Sequence, residues 1–538
     1  MAPQLEPRLN RALWLTVWMA LGFLSLAAVA SSYLNHDVAW YLYSARVLLQ
    51  GGTVYRDVVD TNPPLIFWLN LPVAWTAERF GLNAAAVFKG FVYAAAALSA
   101  LVSARLLRTV AAEPAGTRRL LTAVLVFAML PFARPEGFGH REHLMVLLTM
   151  PYLLAAVGWA TGGPPRRCAA LAVGAAGGLG FAMKPHYLLA WLAVEAALPR
   201  LAARRGSWRR PEAVGAAAAI VGYGLAVVLL APQYFEVVAQ VRRLYGGMDS
   251  PASLLFRLVD VRLWAVAAVA MAVVRLPDEA RPAPWILFAA WTGFLLAALL
   301  QLKGWSYHLY PARTVCLLFF VAVACRIYEA LPALGRLVRG GGRGLGAAVL
   351  ATLFIWSGRY VVEAKLTGES DLVTPLVKVL RQQAPGGAFA ALSMRTMIYP
   401  AFPAVNYAGV GWSLRHPFLW FLPGLYEDAL RAPGPTVAFR APTAMPAVER
   451  AFYEEIIGDL CARPPDVLMI EAPQPRAPLG RRALDLSAYY GQDGRYRRLS
   501  ASYEPLPPIG QFLLFRRARA ASCEALPEPP ATAPPGVR

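Results

Sequence analysis

Asp37 stands directly after His36 at the end of the first long apolar run, and Asp57 and Asp60 come shortly before Asn62-Pro63-Pro64. A carboxylate in a partly apolar pocket is expected to have a raised pKa and to accept protons well. Asp37 is therefore a candidate general base for an attacking hydroxyl. Asp is also a good helix N-cap, and Asp37 stands where a cap would begin the following helical segment. Two successive prolines force the residues before them into extended geometry. That would fix the direction of Asp60, whereas nothing comparable fixes Asp57. Further along, the stretch RPEGFGHRE (134–142) offers Arg141 and Glu142 as polar contacts to a hydrophilic substrate. His140 and His143 are three apart and would meet on one helical face. A metal site needs more ligands than that pair, and the HExxH pattern is absent, so no metal ligands are assigned. Lys184 opens Lys-Pro-His, and Lys303 lies in LKGWSYHLYP ahead of Tyr307 and His308. A lysine at an apolar boundary pairs with an anion or snorkels to water. Two lysines facing one cleft would suit a phosphate group.

The elements that must hold these residues are apolar. The 538 residues are 57% hydrophobic and only 16% charged, with a mean hydropathy of +0.45. Soluble domains are nearer a quarter charged, and here the apolar residues come in long runs. These fall at about 12–33, 84–107, 119–134, 143–161, 168–183, 187–200, 213–231, 259–275, 283–302, 311–332 and 345–360, which predicts about eleven transmembrane helices. The net charge of +20 would suggest nucleic-acid binding in a soluble protein. Its arginines cluster in short loops between apolar runs, so the charge is assigned to membrane orientation and no nucleic-acid partner is expected.

With the N-terminus in the cytoplasm, the loops that fall inside carry Arg105, Arg108, Arg118 and Arg119, then Arg166 and Arg167, then Arg200 to Arg210, then Arg275 and Arg281, then Arg336 to Arg343. Every candidate residue named above falls on the other face. The stretch 34–83 forms a first outer loop with interfacial helices, one of them over 65–75, and Trp40, Tyr41 and Tyr43 suit the interfacial zone. The first apolar run is longer than a signal-peptide core and is expected to be a retained helix. An odd number of crossings sends the chain after about 361 to the outer side. There 388–393, 466–471 and 511–516 read as strands and 447–461 as an amphipathic helix. The expected organisation is an all-α polytopic membrane domain over 1–360, a small α/β extracytoplasmic domain over 361–519, and a disordered Pro/Ala-rich tail over 520–538. Cys461 and Cys523 can pair in an oxidising compartment. The loop around Ser413 to Pro417, with Trp412 and Trp420, reads as packed structure.

In these features the chain resembles the integral-membrane glycosyltransferases of the GT-C fold, closest in character to the protein O-mannosyltransferases and the bacterial lipid A aminoarabinose transferases. Three motifs carry the resemblance: His36-Asp37 followed by an amphipathic stretch to Gly51-Gly52; Asp60 before Pro63-Pro64-Leu65; and Lys303, Tyr307 and Pro311 at a late outer boundary. The aminoarabinose branch has Glu-Lys before its Pro-Pro, where this chain has Asp60-Thr61-Asn62. The resemblance implies a hexosyl- or pentosyltransferase of the bacterial inner membrane, with the C-terminal domain in the periplasm. Its donor would be a polyprenyl-phosphate-linked sugar, and its acceptor a lipid, polysaccharide or protein. Asp37 would be the base and Asp60 would help orient the acceptor. His36, Arg141, Glu142, Lys184, Lys303, Tyr307 and His308 would bind substrate, with the lipid phosphate near Lys303. No cofactor is expected, since a monophosphate donor lessens the need for a divalent metal.

Two other classes fit parts of the sequence. A multi-pass transporter or lipid flippase shares the helices and charges, but would place polar groups near the bilayer midplane in broken, internally repeated helices. A non-catalytic scaffold would explain the C-terminal domain and leave the outer acids and lysines without a purpose.

Overall fold

The computed structural model describes residues 22–23, 26–27, 29–110, 121–122, 124–126, 137–201, 207–244, 258–273, 281–301, 305–330, 371–394, 399–428, 434–475, 479, 481–520 and 523. The expected spans at 12–33 and 119–134 lie largely outside these residues. The span at 345–360, Lys303 and most of the 520–538 tail lie outside them as well. The chain divides into two compact units. The first comprises residues 1–54, 61–236 and 249–370, and the second 55–60, 237–248 and 371–538.

The first unit is helical. Its elements are α1 (His36–Leu49), α2 (Leu65–Phe80), α3 (Ala84–Thr109), α4 (Arg141–Ala160), α5 (Arg167–Ala182), α6 (Leu188–Leu201), α7 (Pro211–Leu230), α8 (Leu258–Val273), α9 (Pro282–Leu300) and α10 (Tyr310–Ala330). Among the described residues five helices are long and apolar enough to cross a membrane: α3, α4, α7, α9 and the stretch Tyr307–Ala324; α5 is apolar but shorter. α2 runs one turn beyond the expected 65–75, because Pro72 is absorbed within the helix and Gly81 ends it with left-handed backbone. Trp40, Tyr41 and Tyr43 are buried against protein rather than lying in a lipid interface.

α4 is the hub. Almost all of its side chains are buried, as is expected of a span surrounded by other helices. α7 is the opposite case. One face packs on α5, and Val221, Leu225, Leu229 and Leu230 on the other are more than half exposed, a composition suited to lipid. The α5–α7 contact is made by backbone. A Cβ on Gly174 would lie 2.2 Å from the Glu212 carbonyl oxygen, and one on Gly178 would lie 2.4 Å from that of Ala216. The Gly174-x-x-x-Gly178 spacing puts both on one face and lets two apolar helices approach to van der Waals distance.

The ends of these helices sort by chemistry. Lys184 follows the C-terminus of α5, His140 and Glu142 begin α4, and Gln301 caps α9; their side chains meet at one end of the bundle. Buried Arg210, just before α7, meets Glu195 of α6 at 2.6 Å and the Tyr152 hydroxyl at 3.3 Å. Its guanidinium also lies over the Trp159 ring near the C-terminus of α4, 5.2 Å from the centroid. The alternation read from the arginine pattern is thus matched in these helices.

The second unit is an α/β fold. Its sheet is ordered β2-β1-β3-β5-β4, with β1 (Ala388–Leu392), β2 (Gly411–Trp412), β3 (Val467–Glu471), β4 (Tyr503–Ile509) and β5 (Phe512–Arg517). β2, β1 and β3 are parallel; β5 and β4 are antiparallel to their neighbours. Helix α11 (Val373–Gln383) precedes β1 and helix α12 (Ala401–Ala408) follows it. β1 and β3 are buried along their whole length, so they read as apolar runs rather than alternating ones. The expected strands correspond to β1, β3 and β5, and the expected helix to α13 (Ala447–Ala462). β2 has two residues. β4 holds Pro505, Pro507 and Pro508, which remove donors and are tolerated at the sheet edge it occupies. Both therefore lacked a strand signal. Cys461 and Cys523 form a disulfide across 62 residues, a closure that stabilises by about 4 kcal/mol in the chain-entropy account. The Trp412 indole N–H donates to the His416 carbonyl at 3.0 Å, and Trp420 is buried, so the 413–417 loop is packed.

Candidate functional site

α1 is capped by Asn35, whose side chain accepts from the backbone N–H of Asp37 at 3.0 Å. The cap expected of Asp37 is thus made two residues earlier. Asp37 sits in the first turn and turns its carboxylate toward other elements. The approach to α4 is set by Gly139, whose φ of +74° suits glycine alone. A Cβ there would also strike the Phe88 ring at 2.4 Å. The turn delivers His140 as the residue before α4, with Arg141 and Glu142 in its first turn. Pro185 opens a short turn over Pro185–Tyr187 between α5 and α6, which presents Lys184 and Tyr187. A second short turn, Ser306–Leu309, leads into α10 with Tyr307 and His308.

These pieces join in one chain of polar contacts. Asp37 Oδ2 lies 3.0 Å from His140 Nε2. His140 Nδ1 hydrogen-bonds Glu142 Oε2. The other Glu142 oxygen accepts from Lys184 Nζ at 2.9 Å and from the Tyr187 hydroxyl at 3.0 Å. Lys184 also donates to Gln301 Oε1 at 3.2 Å. Arg141 approaches Asp37 Oδ2 at 3.5 Å and rests over the Tyr41 ring, 5.3 Å from its centroid. His36 Nε2 is 3.5 Å from Asp37 Oδ1. The Tyr307 ring lies against His140, with centroids 4.4 Å apart. Burial falls off along the chain: the Glu142 side chain is 1% exposed, His140 3% and Asp37 19%.

The electrostatics reverse one expectation. Burial is the largest influence on Asp37 and opposes its ionisation, yet His36, His140 and Arg141 together outweigh it. They hold the carboxyl well below the usual range, not above it. For His140 burial is again the largest influence, and Glu142 and Asp37 overcome it and raise the pKa. Burial pushes His36 down, with Asp37 opposing. Lys184 is pushed down to about 8 by burial and by Arg141, against the pull of Glu142, and burial beside Lys184 pushes His186 down to about 3. Lys184 is thus ion-paired rather than snorkelling. With His140 protonated, three cationic groups, His140, Arg141 and Lys184, face two carboxylates and leave one positive charge in a buried setting. Arg141 Nε, His186 Nε2 and His308 Nδ1 are buried and have no hydrogen-bond partner among the described residues.

Of the residues expected from sequence, the structure brings together His36, Asp37, Arg141, Glu142, Lys184 and Tyr307, and His308 lies against Tyr307 with ring centroids 4.5 Å apart. Glu142 spends both oxygens on protein partners. Asp60 belongs to the second unit, where it is buried, and Asp57 is exposed. Lys303 is outside the described residues. His140 and His143 do not act together: His143 Nδ1 accepts from the Gly139 N–H at 3.0 Å, while His140 joins the carboxylates. Sequence reasoning missed Tyr187 and Gln301. Their signal was slight: a hydroxyl beside a histidine, and a polar residue closing an apolar run.

No family model matches the sequence, and no curated protein does. Among solved structures the chain is similar to the crystal structure of ArnT from Cupriavidus metallidurans in the apo state. The identity is 12%, the match covers 94% of this chain and 98% of that one, and the TM-score is 0.42.

Proposed function

We propose that the chain is a glycosyltransferase of the bacterial inner membrane. It moves a sugar from a polyprenyl-phosphate donor to an acceptor hydroxyl at the outer face, by direct displacement with inversion. The observation that carries this reading is the buried polar chain that ends at partly exposed Asp37 and retains one positive charge. A partly exposed carboxylate backed by buried cations is what such a transfer requires. The acceptor oxygen forms its bond to the anomeric carbon as the bond from that carbon to the phosphate oxygen breaks. The acceptor's proton passes to Asp37, and the phosphate leaves with the electron pair, stabilised by fixed cations. Arg141 and Lys184 would serve that phosphate, a role their positive charge supports. A low pKa on Asp37 is compatible with this role, because the hydroxyl proton becomes acidic only as the new bond forms. The charges of the Asp37 cluster gather at helix ends rather than mid-span, which supports an enzyme over a transporter.

The test is mass spectrometry of envelope glycolipids and glycans from cells with and without the gene. One glycosylated species should vanish on deletion, return with the wild-type gene, and stay absent with Asp37→Asn expressed at equal level. Restoration by Asp37→Asn would remove Asp37 as the base. Identical envelopes with and without the gene would remove the transferase reading itself.

A further inference from the structure

The His140 ring is gripped from both sides. Nε2 faces Asp37 Oδ2 at 3.0 Å and Nδ1 hydrogen-bonds Glu142 Oε2. A neutral imidazole has one N–H and one lone pair, so it can satisfy only one of two ionised carboxylates. Two carboxylate acceptors therefore demand both protons. Glu142 and the ring cannot swing away easily. Glu142 is tied through its other oxygen to Lys184 and Tyr187, and the Tyr307 ring closes over the imidazole. The backbone that delivers His140 is fixed as well, by the left-handed turn at Gly139 and by a hydrogen bond from the His140 N–H to the Gly137 carbonyl at 3.1 Å.

We propose that His140 is a positioning residue, an imidazolium held between Glu142 and Asp37 that anchors Oδ2 of Asp37 and leaves Oδ1 as the oxygen that takes the acceptor's proton. The assignment rests on Asp37 being the base. Both His140 and the Arg141 guanidinium lie on the Oδ2 side, and Oδ1 has His36 beside it at 3.5 Å. In the transfer the acceptor O–H bond breaks and an Oδ1–H bond forms, so Asp37 becomes neutral. His140 has no lone pair to receive that proton. It stays cationic, with Glu142 as its counter-ion, and never acts as a relay. The titratable and charged groups facing it are Asp37 and His36 on α1, Arg141 and Glu142 beside it, Lys184 behind Glu142, and Tyr307 and His308 ahead of α10.

The test is nitrogen NMR on the full chain in detergent with 15N-labelled histidine, with His140→Gln assigning the resonance among the six histidines. Both ring nitrogens of His140 should carry protons, with shifts unchanged from pH 6 to 8, and Glu142→Gln should free the ring to titrate within that range. One unprotonated ring nitrogen at pH 7.5 in the wild type overturns the proposal. A second arm uses whichever decaprenyl-phosphate sugar the wild type accepts. His140→Gln should then lose about a hundredfold in kcat with the donor KM changed less than threefold; a wild-type kcat overturns the positioning role. A wild type that transfers from no decaprenyl-phosphate sugar would count against the proposed function, and the NMR arm would still decide the state of His140.

Discussion

Asp37 is weak as a base and ionised throughout the physiological range, because the cations around it outweigh its burial. The transfer rate should therefore show no acid limb between pH 5.5 and 7. It should fall above about pH 8, where Lys184 loses its proton and the pocket loses its positive surplus. Initial rates against pH check this, and an acid limb centred near 6.5 would mean that a histidine, not Asp37, takes the proton. Stability should move the other way. The folded pKa of Lys184 is depressed from 10.5 to about 8, so between those values the unfolded chain holds a proton that the folded chain lacks. Lys184 then contributes a stability that rises with pH across that window. Comparing the wild type with Lys184→Met by thermal unfolding in detergent should show the stability of the wild type relative to the variant rising from pH 8 to 10. The site was half legible from sequence. His36, Asp37, Arg141, Glu142 and Lys184 stand out because charges at the edge of apolar runs are conspicuous. Their pairing was hidden, since Asp37 and His140 are 103 residues apart. The direction of the Asp37 shift depends on which cations face it, and no local pattern encodes that.

At the level of elements, the α5–α7 contact depends on having no side chains at its crossing. Gly178→Leu should cost at least the 1–3 kcal/mol typical of overpacking, read as a loss of thermal stability in detergent, while Leu229→Ala on the lipid-facing side of α7 should change it little. The Arg210 cluster makes a second test. Arg210→Gln strands fully buried Glu212 and takes the partner from part-buried Glu195, which should cost about 3–5 kcal/mol. A change under 1 kcal/mol would show that water reaches these carboxylates. Spans such as α4, α7 and α9 were legible because twenty apolar residues have few alternatives. The strands β1, β3 and β5 were legible because burial on both faces makes short unbroken apolar runs. β2 and β4 escaped, one for its length and the other for its prolines. Glu195 and Arg210 escaped for a different reason: they are 15 residues apart, and only packing shows that they meet.

For the whole molecule, the sorting of helix ends makes the proposed orientation testable with cysteines already present. Cys168 is exposed in the first turn of α5, at the end away from Lys184, and Cys461 and Cys523 are joined in the second unit. In intact spheroplasts a membrane-impermeant maleimide should label Cys461 and Cys523 after reduction, and should reach Cys168 only after permeabilisation. Labelling of Cys168 in sealed spheroplasts would reverse the assignment of inside and outside. The α5–α7 contact also bears on how a lipid-borne donor, as proposed, would reach the site. A headgroup whose tail stays in the bilayer must slip sideways through a gap between helices, a lateral gate. Where backbone touches backbone, as at Gly174 and Gly178, there is no side chain to swing aside, and opening would mean pulling two helices apart. That seam is closed to such traffic, so under the proposed function a doorway for the donor would lie along another pair of helices.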